Sequence, residues 1–177
     1  MNPKLDFIFK RRSIRKFTEE AVSEADLQDL LEAAMAAPTA VNSQPWHFVV
    51  VRDEAQLQAL RKALPFGKMQ APLAISVCGV MGKLNHLVAE KFWMQDCSAA
   101  TENILLAATA LGLGSVWCGV SPSFAMVKSI SEVLGLPKQV IPLNVIFIGH
   151  PAESREAGTK YSAKKVSYER YRQTEPE

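Results

Sequence analysis

The segment that most constrains the fold runs from Leu87 to Leu111 and contains neither proline nor glycine. Its later turns are apolar on nearly every side, at Ile104, Leu105, Leu106, Ala107, Ala108, Ala110 and Leu111. A helix of this length spans about 37 Å, and a helix that is apolar all round is normally buried. The sequence therefore predicts a long helix at the centre of the fold, which Gly112 and Gly114 would end.

Strands and further helices are predicted on both sides of this segment. Apolar, β-branched runs predict strands at HFVVV (47–51), LAISVCGV (73–80), SVWCGV (115–120) and VIPLNVIFIG (140–149). Helix caps are predicted at Asn2, Ser23, Asp53 and Ser123. This alternation of strands and helices, taken alone, predicts a parallel, doubly wound sheet.

Composition favours a single domain. The chain has 177 residues, 48% of them hydrophobic, which is enough to bury one core, and no repeat or linker divides residues 1–177. From Ser154 the sequence becomes polar and charged, so the tail 154–177 has little core of its own and is expected to pack on another surface. Three widely spaced cysteines, no leader-like apolar stretch and no membrane-spanning run predict a cytoplasmic location.

A cluster of positive charge stands near the amino end, in FKRRSIRKF (9–17). The whole chain has 20 Lys and Arg residues against 18 Asp and Glu, so this cluster needs a local explanation. It could be a solvated surface, a nucleic-acid patch or an anion pocket that uses arginine forks and the Ser13 hydroxyl. Nucleic acid is disfavoured, because the run is short and no nucleic-acid-binding motif accompanies it.

The turn-rich segment PTAVNSQPW (38–46) offers a second group of polar side chains, at Asn42, Ser43 and Gln44. These residue types favour turns, which is sufficient to explain them. Their amides could also bracket the donor and acceptor edge of a heterocycle. The residues alone leave both interpretations open.

Motifs for several other functions are absent from the sequence. LGLGS (111–115) lacks the third glycine and the strand-to-helix order of a dinucleotide-binding turn, and there is no P-loop. The three histidines show no metal-ligand spacing, and no serine or cysteine stands in a nucleophile motif. Asp96 and Glu102 look like ordinary polar positions on a helix. The sequence therefore offers no catalytic or metal-binding motif for a hydrolase or a metalloenzyme.

Four segments in order, RRSIRKF, PTAVNSQPWHFVVV, WMQDCSAATENILLAATALGLGSVW and IPLNVIFIGHPAE, resemble the flavin-dependent nitroreductase family. Together they span residues 11–153. The resemblance implies an α+β fold in which helices flank a mainly antiparallel sheet, and this expectation replaces the parallel sheet. It also implies a homodimer with FMN at the subunit interface and a C-terminal extension that reaches the partner.

The resemblance further implies cofactor-binding roles for individual residues. Those matched to basic or hydroxyl groups that hold the FMN phosphate, the ribityl chain and the ring edge are Arg11, Arg12, Ser13, Arg15 and Lys160. Those matched to the loop beside the partner's flavin ring are Pro38, Thr39, Ala40, Asn42 and Gln44. Cys118 and Gly119 would bring backbone groups near the ring, although Trp117-Cys118-Gly119 departs from the family's Pro and Glu-Gly, and Lys68 matches a lysine near the pyrimidine end.

The implied activity is an oxidoreductase reaction carried by the flavin, so no protein residue is assigned as catalytic and no metal is required. NADH or NADPH would reduce FMN, and a nitroaromatic, a quinone or a related electrophile would reoxidise it in ping-pong order. Arg15, with Lys68 as a second candidate, would stabilise the reduced flavin. The pocket over the flavin is expected to involve Phe66 and residues 81–93, where a short connection predicts an open pocket. A non-catalytic FMN-binding or sensor protein and a flavin-free anion-binding module stay open as alternatives.

Overall fold

The computed structural model describes residues 2–82 and 87–171. Within these ranges the helices are α1 (Asp6–Lys10), α2 (Glu24–Met35), α3 (Glu54–Ala63), α4 (Leu87–Ala110) and α5 (Phe124–Leu134). The strands are β1 (Trp46–Val51), β2 (Leu73–Val80), β3 (Gly114–Gly119) and β4 (Val140–Gly149). Short 3-10 turns lie at Pro3–Leu5, Ala40–Asn42 and Ala163–Lys165.

The predicted helix caps are confirmed. The side chains of Ser23, Asp53 and Ser123 each accept a hydrogen bond from the backbone N–H three residues further along the chain. Asn2 caps the 3-10 turn that leads into α1. Gly135 ends α5 at a φ of 63°, a left-handed conformation that glycine adopts without strain. Local polar residues and one glycine therefore set where these helices begin and end.

The four strands form an antiparallel sheet. The strand order is β1-β2-β4-β3, and every neighbouring pair is antiparallel. This confirms the sheet that the family resemblance implies, whereas the parallel sheet predicted from the alternation alone is wrong. The reason is that β4 inserts between β2 and β3, so α4 connects two strands that run the same way without pairing. Alternation along the sequence does not reveal such an insertion.

Helix α4 packs at the centre of one helical layer, as predicted. Its buried residues Cys97 and Ile104 pack with α2 against one face of the sheet, while α3 and α5 cover the other face. Burial of the helix is not complete on every side, because Phe92 and Met94 are exposed. In the part of the chain that the structure describes, no helix is both long enough and apolar enough to cross a membrane.

The amino-terminal segment that carries the basic cluster lies against β3, the edge strand. Ser13 forms a parallel bridge with Ser115, and the N–H of Ile14 donates to the Ser115 carbonyl at 3.0 Å. A Cβ added to Gly114 would stand 2.8 Å from Ile14 Cγ2, so glycine permits this close approach. The basic residues are therefore fixed at one edge of the sheet.

Candidate functional site

A cationic cavity lies where the amino-terminal segment meets the tail. Its volume is about 380 Å³, and its lining residues are Arg11, Arg12, Ser13, Arg15, Arg155, Gly158, Thr159 and Lys160. The structure thus brings together all five residues that the resemblance matched to the phosphate, the ribityl chain and the ring edge. Five of the lining side chains are cationic, so the cavity suits an anion that carries more than one charge.

Two carboxylates lie beside the lining residues of the cationic cavity. Glu102 Oε1 on α4 lies 3.6 Å from Arg11 Nε. Glu153 accepts a hydrogen bond from the backbone N–H of Arg15 at 2.6 Å, and its other oxygen lies 3.4 Å from Arg155 Nη2. The Arg15 N–H is the main cause, and the Arg155 charge a lesser one, of a lowered pKa at Glu153. These two carboxylates leave the cavity with a surplus of positive charge.

The other cations of the basic cluster lie outside this cavity. Lys10 pairs with Asp6 at 2.5 Å, one helical turn away, and Lys16 is exposed. Three arginines and Ser13 converge on one concave site, whereas a merely solvated surface would not require convergence. The structure therefore favours the anion-pocket interpretation of the cluster.

A second, apolar cavity adjoins the cationic cavity at Arg15, which lines both. Its volume is about 320 Å³, and its lining residues are Arg15, Leu64, Pro65, Phe66, Met69, Val116, Trp117, Cys118, Gly119 and Met126. A concave, mainly apolar site with one cation suits a flat aromatic ring that carries a polar edge. Cys118 and Gly119 were predicted here, and Phe66 was expected in the adjoining pocket. Met69 and Met126 were not predicted, since no local motif marks them.

Lys68 does not line either of these two cavities and is exposed. Its loop is nevertheless fixed by Arg61 of α3, a residue that sequence reasoning missed. Arg61 Nε donates to the Met69 carbonyl at 3.0 Å, and Nη2 donates to the Ala71 carbonyl at 3.2 Å. Of the connection 81–93, residues 83–86, which include His86, lie outside the described residues.

The loop 38–44 is anchored to α4, and none of its residues lines either cavity. Asp96 Oδ1 accepts a hydrogen bond from the N–H of Ala40 at 3.0 Å, and Oδ2 accepts one from the Ser43 hydroxyl at 3.4 Å. Asp96 is only 6% exposed. Its anchoring role was missed, because Gln95 and Ser98 stand near it in the sequence and nothing there marks its carboxylate as buried.

The same loop contains three non-glycine residues at positive φ: Val41 at 49°, Asn42 at 54° and Gln44 at 46°. A β-branched residue there costs roughly 1–3 kcal/mol, and Val41 is also 64% exposed. Gln44 Nε2 donates to Asn42 Oδ1 at 3.0 Å, and the Gln44 N–H donates to Thr39 Oγ1 at 3.2 Å. These contacts agree with the turn interpretation, and the surrounding structure holds the strained backbone in place.

The thiol in the apolar cavity is a weak acid. Burial raises the pKa of Cys118 to about 11, although the Arg15 charge acts in the opposite direction. Burial also raises the pKa of Cys78 to about 11 and that of Cys97 to about 12. All three thiols are therefore protonated and poorly nucleophilic at neutral pH.

These features define an α+β protein with an anion site and a ring-sized cavity side by side at the edge of an antiparallel sheet. A profile of the Nitroreductase family matches residues 8–65 and 64–150. A protein of Archaeoglobus fulgidus, provisionally named NADH dehydrogenase/NAD(P)H nitroreductase, is 42% identical over an alignment that covers 94% of this chain and 98% of the relative. The chain belongs to the nitroreductase family.

Solved structures agree with this assignment. An FMN-dependent nitroreductase from Clostridium difficile is 32% identical with a TM-score of 0.85, and the match covers 94% of this chain and 99% of the other. A provisionally named nitroreductase from Desulfovibrio desulfuricans, solved in complex with FMN, is 31% identical with a TM-score of 0.80, and the match covers 97% and 99% of the two chains. The fold described above is thus that of known nitroreductases.

Proposed function

We propose that this protein is a flavin oxidoreductase that holds FMN in the two adjoining cavities and uses NADH or NADPH to reduce nitroaromatics, quinones or related electrophiles. The observation that carries the proposal is that the cationic cavity and the apolar cavity meet at Arg15. A single ligand with a dianionic phosphate at one end and a flat heterocycle at the other would occupy both. FMN has this shape and charge, and the names of the relatives are consistent with it.

The residues that line the two cavities fit FMN in charge and in polarity. Arg11, Ser13 and Lys160 would bind the phosphate by charge-assisted hydrogen bonds. The backbone at Cys118 and Gly119 would lie along the ring.

When bound, FMN supplies the redox chemistry, because it accepts a hydride from the nicotinamide and passes two electrons to the electrophile. Arg15 would place a positive charge beside the ring and so stabilise its reduced, negatively charged form, and Lys68 is a second candidate that would have to reach in from its exposed loop. Leu64, Met69 and Met126 line the apolar cavity and would shield one side of the ring from water. Donor and acceptor would share one open surface, so turnover follows ping-pong kinetics.

A homodimer completes the proposed site. Exposed apolar side chains on α1, on α4 and at the end of α2 include Phe7, Ile8, Met35, Phe92 and Met94, and Leu111 is exposed just after α4. The 38–44 loop packs on α4 beside this surface and lines neither cavity of its own chain. The loop would instead contact the flavin of a second copy, where Asn42 and Gln44 would meet the ring and Pro38, Thr39 and Ala40 would pack beside it.

The test begins with anaerobic spectroscopy of the FMN-loaded protein. NADH or NADPH should bleach the flavin absorbance, a nitroaromatic or quinone should restore it, and double-reciprocal plots should give parallel lines. A yellow protein that neither donor bleaches would instead support an FMN-binding or sensor protein. Protein that binds no FMN would overturn the proposal.

A charge-removing variant tests which residues hold the phosphate. Arg11→Ala should weaken FMN binding about 10- to 100-fold, because charge-assisted hydrogen bonds contribute about 1.5–3 kcal/mol. Arg52→Ala is the matched control, since Arg52 pairs with Glu24 away from both cavities. Isothermal titration with FMN and with riboflavin separates the phosphate contribution from the ring contribution. Equal FMN affinity in Arg11→Ala and the parent would remove Arg11 from the site.

A further inference from the structure

Arg12 differs from the other cations of the cationic cavity because its guanidinium is bonded to three backbone carbonyls, two of them in the tail. Arg15 makes one local bond of this kind, from Nη1 to the Ser13 carbonyl at 3.4 Å. Nε donates to the carbonyl of Glu156 at 2.7 Å, Nη2 to that of Gly158 at 3.1 Å and Nη1 to that of Arg11 at 2.7 Å. A guanidinium has five N–H donors in a rigid planar fork, so at least three of them serve the protein itself. A side chain used in this way has few donors left for a ligand.

The tail backbone at Gly158 lies close to the Arg12 guanidinium. The N–H of Gly158 donates to the Phe9 carbonyl at 3.1 Å, and a Cβ at Gly158 would stand 3.0 Å from Arg12 Nη2. In the described part of the chain, this bond and the two from Arg12 are the hydrogen bonds that tie residues 156–160 to the amino-terminal segment. Thr159 and Lys160 follow directly and line the cavity. Lys160 therefore lies two residues beyond a carbonyl that Arg12 holds.

We propose that Arg12 is a positioning residue that clasps the tail at residues 156–158 and so delivers Thr159 and Lys160 to the phosphate. This inference rests on the proposed function for the identity of the ligand, but the clasp itself requires no ligand. Arg11, Ser13 and Lys160 then contact the phosphate directly, and Arg12 acts through Lys160. A lysine ammonium has three donors on a single nitrogen and no planar fork, so lysine in place of Arg12 should not reproduce the two separate bonds from Nε and Nη2.

The clasp is tested by trypsin digestion of the full-length protein without added FMN. Arg12→Ala and Arg12→Lys should both speed cleavage after Arg155 and Lys160 by at least about tenfold, because both charged hydrogen bonds to the tail are lost in Arg12→Ala and at least one is lost in Arg12→Lys. Mass spectrometry identifies the cleaved bonds, and circular dichroism checks that the variants are folded. Arg52→Ala should cleave like the parent. Unchanged cleavage in folded Arg12→Ala, or full protection in Arg12→Lys, would overturn the clasp.

The link to the ligand is tested by a double-mutant cycle on FMN affinity, with riboflavin as the probe that lacks the phosphate. Lys160→Ala should weaken FMN binding in the parent but should have little further effect in Arg12→Ala, because an unclasped tail no longer places Lys160. Riboflavin affinity should change in neither variant. Additive losses would mean that Arg12 contacts the phosphate directly and would overturn the positioning role. A parent that binds no FMN would refute the proposed function, while the digestion would still decide the clasp.

Discussion

Arg15 connects the two cavities because its side chain lines both and its backbone N–H is held by Glu153. The positive charge of Arg15 also lowers the pKa of the Cys118 thiol. Burial raises that pKa by more, so the net shift is upward. The thiol is therefore a reporter of both the charge and the solvent access of the apolar cavity.

Alkylation of Cys118 by iodoacetamide should be slow at pH 7.5 and should accelerate about tenfold per pH unit up to its pKa of about 11, because only the thiolate reacts. Arg15→Ala should slow the reaction at any given pH below that value, since removing a nearby cation raises the pKa of the thiol. Added FMN should protect Cys118 by covering it. Peptide mass spectrometry at a series of pH values measures the rate of alkylation. The Cys118→Ala variant shows which modified peptide arises from Cys118. Rapid alkylation at neutral pH would contradict this account of the cavity.

At the scale of elements, the 38–44 loop shows how a helix fixes a strained segment. Its backbone strain at Val41 is sustained because Asp96, buried on α4, accepts bonds from Ala40 and Ser43. A buried donor that loses its acceptor is costly, at about 1–3 kcal/mol. The conformation of the loop therefore depends on one carboxylate 56 residues away from Ala40.

Asp96→Ala should lower the free energy of unfolding by about 1–3 kcal/mol, because it leaves the Ala40 N–H without its acceptor. Asp96→Asn should cost less, since an amide oxygen can still accept that bond. Urea denaturation at one fixed protein concentration measures both, and Asp29→Ala, an exposed acidic residue of α2, is the control. Equal stability of Asp96→Ala and the parent would show that the carboxylate does not anchor the loop.

The elements themselves were largely predictable from local sequence. Ser23, Asp53 and Ser123 cap the helices as expected, and the strands at 73–80 and 140–149 match their predicted bounds, since local polarity and β-branching decide both. The direction of the strands was not predictable from the alternation, because pairing between β2 and β4 joins residues distant in sequence. The family resemblance supplied what local pattern could not.

The residues of the candidate site likewise include some that could be predicted from the sequence and some that could not. The motif around Arg11 and Ser13 was visible because its residues are neighbours in sequence. Arg155 and Thr159 were not, since they reach the same cavity only through a tail contact that spans more than 140 residues. Met126 likewise enters the apolar cavity because α5 packs beside α3, which no short motif encodes.

At the scale of the whole molecule, large apolar residues are exposed on both sides of the sheet in the described part of the chain. The α1, α2 and α4 side exposes several large apolar residues, and the strained loop with Val41 lies on it. Phe124 is 84% exposed on α5, across the sheet from α4. Two copies that meet through the α4 side would bury the exposed apolar residues of α1, α2 and α4 and would leave Phe124 in solvent.

Light scattering of the parent should give twice the chain mass of 19.5 kDa. Phe92→Glu should shift the protein towards monomer and weaken FMN binding with it, because a buried charge opposes association and the partner's loop is then lost from the site. Phe124→Glu is the matched control and should remain dimeric. A monomeric parent, or a Phe92→Glu variant that stays dimeric at micromolar concentration, would rule out an interface through α4.

The meeting of residues 11–15 with residues 155–160 has a consequence for biosynthesis. The first of these segments leaves the ribosome early, and the second emerges only after the whole sheet has been translated. The cationic cavity is therefore incomplete in a nascent chain, and a product truncated before Lys160 would lack some of its lining residues. If this cavity holds FMN as proposed, stable binding of the cofactor requires residues 155–160 to have been translated.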